Sequence, residues 1–308
     1  MEAYAPLVNQ LMSQGIHVEV KNETVNLNLD RMAGLRFINT DLEIYSRIGV
    51  KAKAIEALNR HINRDDPSFC GGDLEELKRN LNGEMDLKPY FIKYDSLKKS
   101  GLISKLKTKG ALGKPRRKRK MSEHDGEWDF DRKWELKPYQ GTIRKKQLRK
   151  SIKIYANFSC SGSSGAREIT EYGALIWAIT KIIEDSGIQV EVYYQERANR
   201  VDVNLSVSTN VLMRLKKAGE YISPQALAAS FTANHYRRLG FALQTIAVAA
   251  CGNRVTSRGM GCAPKGTKPI SFSEGILTLD KKDNQINYDE IEKVILGIIN
   301  GKENNEER

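Results

Sequence analysis

The stretch from about residue 151 onward most constrains the fold, because it reads as a strand, a long helix and a second strand in succession. Ile152–Phe158 is a short apolar run with the length of a buried strand. Arg167–Ser186 carries apolar residues at helical spacing, and Val190–Tyr194 again has the pattern of a strand. Strand, helix and strand in this order form the repeating unit of an open α/β sheet. The sequence therefore predicts an α/β fold, with a Rossmann-like sheet flanked by helices.

The pattern extends this domain from about residue 151 to 300, followed by a polar tail at 301–308. Ser223 and Pro224 match the N-cap and the first position of a helix. A loop rich in Gly, Pro and Arg covers 252–268. The other predicted elements are a turn at Arg197–Arg200, a strand at Val201–Val207, helices up to Ala250, a strand at Ile276–Leu279 and a helix at Tyr288–Ile299.

Residues 1–95 predict a small α+β region. Tyr4–Gln14 has a helical pattern, while His17–Val20 and Val25–Leu29 alternate with the period of strands. A further helix is expected at Lys51–Asn63, where the sequence Asp65-Asp66-Pro67 ends it.

Residues 96–150 differ from both flanking regions and predict a basic and aromatic arm. From Lys98 to Lys120 there are eleven Lys and Arg residues and no acidic residue. Like charges at this density repel one another, so we expect the segment to be mobile when nothing is bound. The chain as a whole has a net charge of +12 and a pI near 9.4, which favours polyanionic partners. Nucleic acid is the commonest of these.

The candidate nucleic-acid-binding residues lie in and around this arm. Cations can follow the phosphates of a strand, and aromatic rings can stack on its bases. Aromatic residues that could serve this purpose also include Tyr90, Phe130 and Tyr139, and Arg237, Arg238, Arg254 and Arg258 suggest a second basic surface. The predicted binding residues are Lys114, Arg116, Arg117, Lys118, Arg119, Lys120, Trp128, Trp134, Arg144, Lys145, Lys146, Arg149 and Lys150.

The end of the first strand of the α/β domain carries Asn157, Ser159 and Ser161. Together with the long helix and the following strand pair, these residues resemble a von Willebrand A domain over about residues 151–300. The resemblance implies a D-x-S-x-S metal motif at this position, but its first residue is Asn here. An amide oxygen lacks the charge that attracts a hard cation, so we expect a degenerate motif and no bound metal, with Mg²⁺ as the weaker alternative. Thr209 and Asp202 are the later oxygen donors that could complete it.

A second resemblance covers Trp128–Asp131, the basic cluster after it, Gly173-Ala174 and Asn234–Phe241. These features look like a von Willebrand A-like family of bacteriophages and their hosts, and within it proteins of short-tailed virulent phages. The resemblance implies a protein that binds single-stranded DNA and recruits a phage RNA polymerase to middle promoters.

Two other functions stay open at this point. A metal-dependent protein-interaction module would use the Ser-rich strand end, and a nucleic-acid-processing enzyme would need carboxylates from distant segments. Catalysis has little support, because the four histidines stand alone and His235 fits a buried histidine with satisfied hydrogen bonds. The chain has no apolar run of the roughly 18 residues that a membrane span needs, and no signal-peptide pattern. We therefore expect a cytoplasmic protein, in the host cytoplasm if a phage encodes it.

Overall fold

The computed structural model describes residues 3–99, 117–122, 127–128, 139–144, 151–159, 164–185, 189–202, 205–252, 270–273 and 276–280. In the strands between 117 and 144, at 199–206 and between 270 and 280, the description is limited to the backbone.

A mixed seven-stranded sheet organises the fold, with strand order β1-β2-β8-β7-β6-β10-β9. The pairs β2–β8, β6–β7 and β6–β10 are parallel, and the pairs β1–β2, β7–β8 and β9–β10 are antiparallel. The strands are β1 His17–Lys21, β2 Thr24–Asp30, β6 Ser151–Asn157, β7 Gln189–Asp202, β8 Leu205–Lys216, β9 Ile270–Ser273 and β10 Ile276–Asp280.

The first strand and helix of the α/β domain lie where the sequence predicts them. Strand β6 leads into the 20-residue helix α8, Ala166–Asp185, and β7 returns parallel to β6. Along β6 the residues Ile152, Ile154 and Ala156 are buried, and the residues between them are more exposed. The same alternation continues along β2, β7 and β8. The described helices therefore cover one face of the sheet, and the α/β fold class is confirmed.

The strand pair after α8 is longer than predicted. The sequence predicts a turn at residues 197–200, but they lie within β7, where Arg197 pairs with Asn210 and Arg200 pairs with Val207. Pairing continues as far as Asp202 opposite Leu205. Val201 therefore belongs to β7, and β8 begins at Leu205 instead of Val201. Polar residues suggested a turn, but one side of this hairpin is only partly buried and accepts polar side chains.

The N-terminal region adds its strands to the same sheet. Strand β2 runs parallel to β8, from Thr24 opposite Ser208 to Asp30 opposite Arg214. Buried side chains of the N-terminal region, such as Leu27 and Tyr90, belong to the same hydrophobic core as Trp177 of α8. Sheet and core thus cross the boundary that the sequence suggests near residue 95.

The helices of the N-terminal region surround β1 and β2, and the expected helices at 4–14 and 51–63 are both present. Asp30, Asp66 and Asp73 cap helices by accepting hydrogen bonds from backbone N–H groups of the first turn. The helices are α1 Ala5–Ser13, α2 Arg31–Ile38, α3 Glu43–Arg47, α4 Ala52–Ile62, α5 Pro67–Cys70, α6 Leu74–Leu81 and α7 Lys88–Lys99.

A second helical layer follows β8. The side chain of Ser223 accepts a hydrogen bond from Ala226 N, and Pro224 occupies the first turn, so the predicted cap is confirmed. The layer consists of α9 Pro224–Ala229, α10 Ala233–His235, a π-helical turn at Tyr236–Gly240 and α11 Phe241–Ala250. All residues of α11 are buried, and all but Gln244 and Thr245 are apolar, as expected for a helix without a solvent-exposed face.

A separate three-stranded antiparallel sheet contains β3 Arg117–Ser122, β5 Tyr139–Arg144 and β4 Glu127–Trp128, in the order β3-β5-β4. The sequence predicts a mobile basic arm here. For Arg117–Lys120 the structure differs, because these residues form a strand that pairs with β5. Backbone hydrogen bonds to β5 hold the strand despite the charge of its residues. The expected strand at Ile276–Leu279 is present as β10, and the loop at 252–268 and the helix at Tyr288–Ile299 lie largely or wholly outside the described residues.

Within the described residues, no helix combines the length and the apolar character that a membrane crossing requires.

Candidate nucleic-acid interface

The positive charge of the chain is concentrated in one segment. Residues 100–150 contain 17 of the 50 Lys and Arg residues and 6 of the 38 Asp and Glu residues, which gives this segment +11 of the net +12. In the sequence, this segment follows α7 and ends immediately before β6. A polyanion would therefore be attracted to this part of the chain far more than to the rest.

The small sheet brings the two predicted basic clusters together. Arg117 of β3 pairs with Arg144 of β5 at one end of the sheet. Like charges directly opposite each other in an antiparallel pair are destabilising. At the other end of β5, Tyr139 pairs with Trp128.

The predicted binding residues are only partly covered by the described backbone. Those within it are Arg117, Lys118, Arg119 and Lys120 on β3, Trp128 on β4 and Arg144 on β5. Those outside the described residues are Lys114, Arg116, Trp134, Lys145, Lys146, Arg149 and Lys150, as is Phe130.

Tyr90 is not a stacking residue, which corrects the sequence prediction. Its side chain is fully buried and its hydroxyl donates to the carbonyl of Ala228 at 3.2 Å. Its ring packs edge-on against Trp177 at 5.9 Å between centroids. Burial raises the pKa of Tyr90 above its usual range. Tyr90 therefore attaches α7 to the core.

Arg237 and Arg238 do not form a second basic surface, because both side chains are almost completely buried. Arg238 donates to Asn234 Oδ1 at 2.8 Å and to the carbonyls of Ile62 at 2.7 Å and Gly72 at 2.9 Å. Arg237 donates to the carbonyls of Phe69 and Ser164. These arginines hold the N-terminal region against the π-helical turn. Arg254 and Arg258 lie outside the described residues.

The face of the large sheet that the described helices leave uncovered carries aromatic and charged side chains, and we call it the open face. Tyr155 of β6 and Tyr193 of β7 stack at 4.8 Å between ring centroids, with 6° between the ring planes. Tyr193 pairs with Arg214 of β8. Burial and the hydrogen bond from its hydroxyl to Glu191 Oε1 (2.7 Å) raise the pKa of Tyr193 above its usual range, so the phenol stays neutral. Lys153 lies exposed beside Glu191 in the register.

A row of amides crosses the open face next to the tyrosines. The amide atoms of Gln195 and Asn210 are 3.1 Å apart, and those of Asn210 and Asn26 are also 3.1 Å apart. With its oxygen turned toward Arg197, Gln195 accepts hydrogen bonds from Arg197 Nε at 3.0 Å and Nη2 at 2.9 Å. The row therefore fixes the guanidinium of an exposed arginine in place.

The strand-end motif forms a tight polar turn. Asn157 Oδ1 accepts hydrogen bonds from Ser159 N at 3.0 Å and from Ser159 Oγ at 2.5 Å. Ser159 Oγ in turn accepts from the backbone N–H of Arg197 at 2.6 Å. Both side chains are nearly buried. They join β6 to β7, and Ser161 lies outside the described residues.

Sequence reasoning missed one residue at this strand end. Asp280, the last residue of β10, pairs in parallel register with Asn157. The signal was present, because an acidic residue ends a predicted strand whose neighbours end at the same edge of a parallel sheet. The two expected donors lie elsewhere: Thr209 is buried and donates to the carbonyl of Ala198 at 3.3 Å, and Asp202 lies at the far end of β7. Among the described residues, no group of three or more His, Cys, Asp or Glu side chains is placed to hold a metal ion.

His235 is buried as expected, but its hydrogen bonds are not satisfied. Neither ring nitrogen has a hydrogen-bond partner within the described structure. The ring packs edge-on against Tyr194 at 4.8 Å between centroids. Burial lowers the pKa of His235 to about 3, so the imidazole is neutral.

Residues 138–297 match the model of a family described as "Domain of unknown function (DUF7192)". No curated protein and no solved structure gives a significant match.

Proposed function

Because the chain belongs to the DUF7192 family, whose description names no activity, we propose its function from its charge and geometry: it binds nucleic acid, with single-stranded DNA as the ligand. Its place would be that of an accessory protein in phage transcription or replication, recruiting a polymerase or a similar partner, as the resemblance in its sequence implies.

One observation carries the proposal. A single segment holds +11 of the net charge of +12, and β5 places Arg144 opposite Arg117 within that segment. Two like charges directly opposite each other in an antiparallel pair destabilise the pair. A polyanion supplies the compensating charge, and released counterions add a favourable entropy.

The test is a salt titration with a variant in which Arg116, Arg117, Lys118, Arg119 and Lys120 are replaced by Ala. We expect weaker binding of a fluorescein-labelled single strand and a shallower dependence of log K on log salt concentration. Each phosphate contact that is lost should lower the slope by about 0.7 for a single strand. Fluorescence anisotropy at several salt concentrations measures both quantities.

A matched control removes the same charge elsewhere. Replacing the exposed residues Lys51, Lys53, Arg60, Lys88 and Lys217 by Ala changes the net charge equally, but outside the segment. The control should keep most of the wild-type affinity and slope. If both five-residue variants behave alike, the segment has no special role and only the total charge matters.

A cation-dependent interaction module is the second candidate, and the position of Asp280 beside Asn157 favours it. The Asn157 oxygen, however, already accepts two hydrogen bonds from Ser159 and carries no charge.

We therefore expect that a chelator changes neither the melting temperature nor nucleic-acid binding. Differential scanning fluorimetry with and without EDTA and Mg²⁺ measures the first effect. Asn157→Asp is the positive control, because a carboxylate there accepts the same hydrogen bonds and adds the charge that Mg²⁺ prefers. A wild-type melting temperature that falls with EDTA and recovers with Mg²⁺ would favour the second candidate.

A further inference from the structure

The stacked tyrosines of the open face, Tyr155 and Tyr193, lie outside the hydrophobic core. On the helix-covered side, the aromatic rings of Phe158, Tyr194 and Phe231 are fully buried. Tyr155 and Tyr193 lie on the opposite side and are only partly buried. Their rings are nearly parallel at 4.8 Å, which equals the spacing of neighbouring strands. The two rings therefore stack on each other across the β6–β7 pair, on the side of the sheet away from the described helices.

Cations flank this pair. Arg214 lies next to Tyr193 in the register, and its charge acts on the phenol of Tyr193. Lys153 precedes Tyr155 by two residues on the same face of β6. Arg197 is held by Gln195 at the end of the amide row. The carboxylate of Glu191 also lies beside the rings and accepts a hydrogen bond from the Tyr193 hydroxyl. Among the side chains that the structure describes on this part of the open face, three cations and one carboxylate lie near the rings, which is a positive balance.

Such a surface offers a contact for each part of a single-stranded nucleic acid. Aromatic rings stack on bases, cations bind phosphates, and amides donate to and accept from base edges. A duplex cannot use the rings, because its bases already stack on one another. An apolar protein partner would find few apolar side chains here, since the positions around the rings carry charged and amide groups.

In the sequence, the open face follows the basic segment directly. The segment ends at residue 150, and β6 begins at Ser151 and carries Lys153 and Tyr155. Six residues of sequence separate Arg144, at the end of β5, from Ser151, at the start of β6.

We propose that the open face is the surface on which bases of a single-stranded nucleic acid stack, with Tyr155 and Tyr193 as the stacking residues. The proposal rests on the proposed function and adds to it the place of base contact. The basic segment supplies affinity for any nucleic acid, and the open face selects an open strand.

The test compares a fluorescein-labelled 20-nucleotide single strand of mixed sequence with its duplex. Tyr155→Ala combined with Tyr193→Ala should weaken binding of the single strand at least tenfold and that of the duplex less than twofold. Because this variant removes a stacked pair, its melting temperature is measured in parallel. Lys153→Glu provides a second variant at an exposed position, with Lys53→Glu on α4, on the helix-covered side, as the matched control. We expect the Lys153 variant alone to lose single-strand affinity.

A third measurement uses the wild-type chain and does not depend on folding of a variant. Ultraviolet crosslinking to a single strand that contains 5-iododeoxyuridine should yield crosslinked peptides with Tyr155 or Tyr193. Equal losses on both ligands, or unchanged single-strand affinity with crosslinks elsewhere, would show that the tyrosines only stabilise the sheet. Binding of neither ligand by the wild type would instead refute the proposed function itself, so the two failures differ.

Discussion

Replacing Gly173 by Ala should lower the free energy of unfolding by about 3 kcal/mol, at the upper end of the range for overpacking a core. Gly173 lies in α8, where the carbonyl group of Phe231 approaches so closely that a Cβ atom would overlap it. Because the obstructing atoms belong to the backbone between α9 and α10, no side-chain rotation can make room. The gain in helix propensity, about 1 kcal/mol, offsets only part of this cost.

Urea denaturation measures the change, and a fall in Tm of roughly 6–12 °C would correspond to it. Gly34→Ala is the matched control, since its Cβ would meet only the flexible end of Met213 at 3.0 Å and Leu239 Cδ2 at 3.2 Å. The control should lose clearly less stability. Equal stability of wild type and Gly173→Ala would mean that α8 does not pack against the Phe231 backbone as described.

His235 should make the protein sensitive to acid. Its pKa is lowered from 6.5 to about 3 by burial, so the unfolded chain binds a proton at a pH where the folded chain does not. The stabilisation is fully present above pH 6.5 and is lost as the pH falls toward the folded pKa. Each pH unit below 6.5 removes about 1.4 kcal/mol, which amounts to roughly 3 kcal/mol by pH 4.5.

Urea denaturation between pH 7.5 and 4.5 measures this loss in the wild type and in His235→Leu. The leucine variant should lose roughly 3 kcal/mol less over this range, because it has no imidazole to protonate. His17→Leu is the matched control, since it replaces a histidine that is exposed on β1. Parallel curves for wild type and His235→Leu would contradict the described burial of His235.

Local patterns in the sequence predicted the elements that depend on local physics. The period of apolar residues gave β6, α8 and β10, and the side chain of Ser223 caps the helix that it was expected to cap. The basic segment is equally local, since its charge is a property of its composition. The α/β fold class follows from these elements, because a strand, a helix and a strand in succession have few ways to pack.

Contacts between distant residues were decided by the tertiary structure alone. Asn26 and Asn210 meet across 184 positions of sequence, and no local pattern indicates that β2 lies beside β8. The sequence suggests that Arg237 and Arg238 are surface cations, yet both are buried and donate hydrogen bonds to carbonyl groups of the N-terminal region. Tyr90 is buried because α7 packs against Trp177 and Ala228, which are distant in sequence. Asp280 lies opposite Asn157 only because of the register of β10. Periodicity reports which side of an element is apolar, whereas strand order and register depend on pairing energies summed over the whole sheet. The sequence therefore determined the elements and the location of the charge, and the tertiary structure decided that Tyr155 and Tyr193 stand together on an open face.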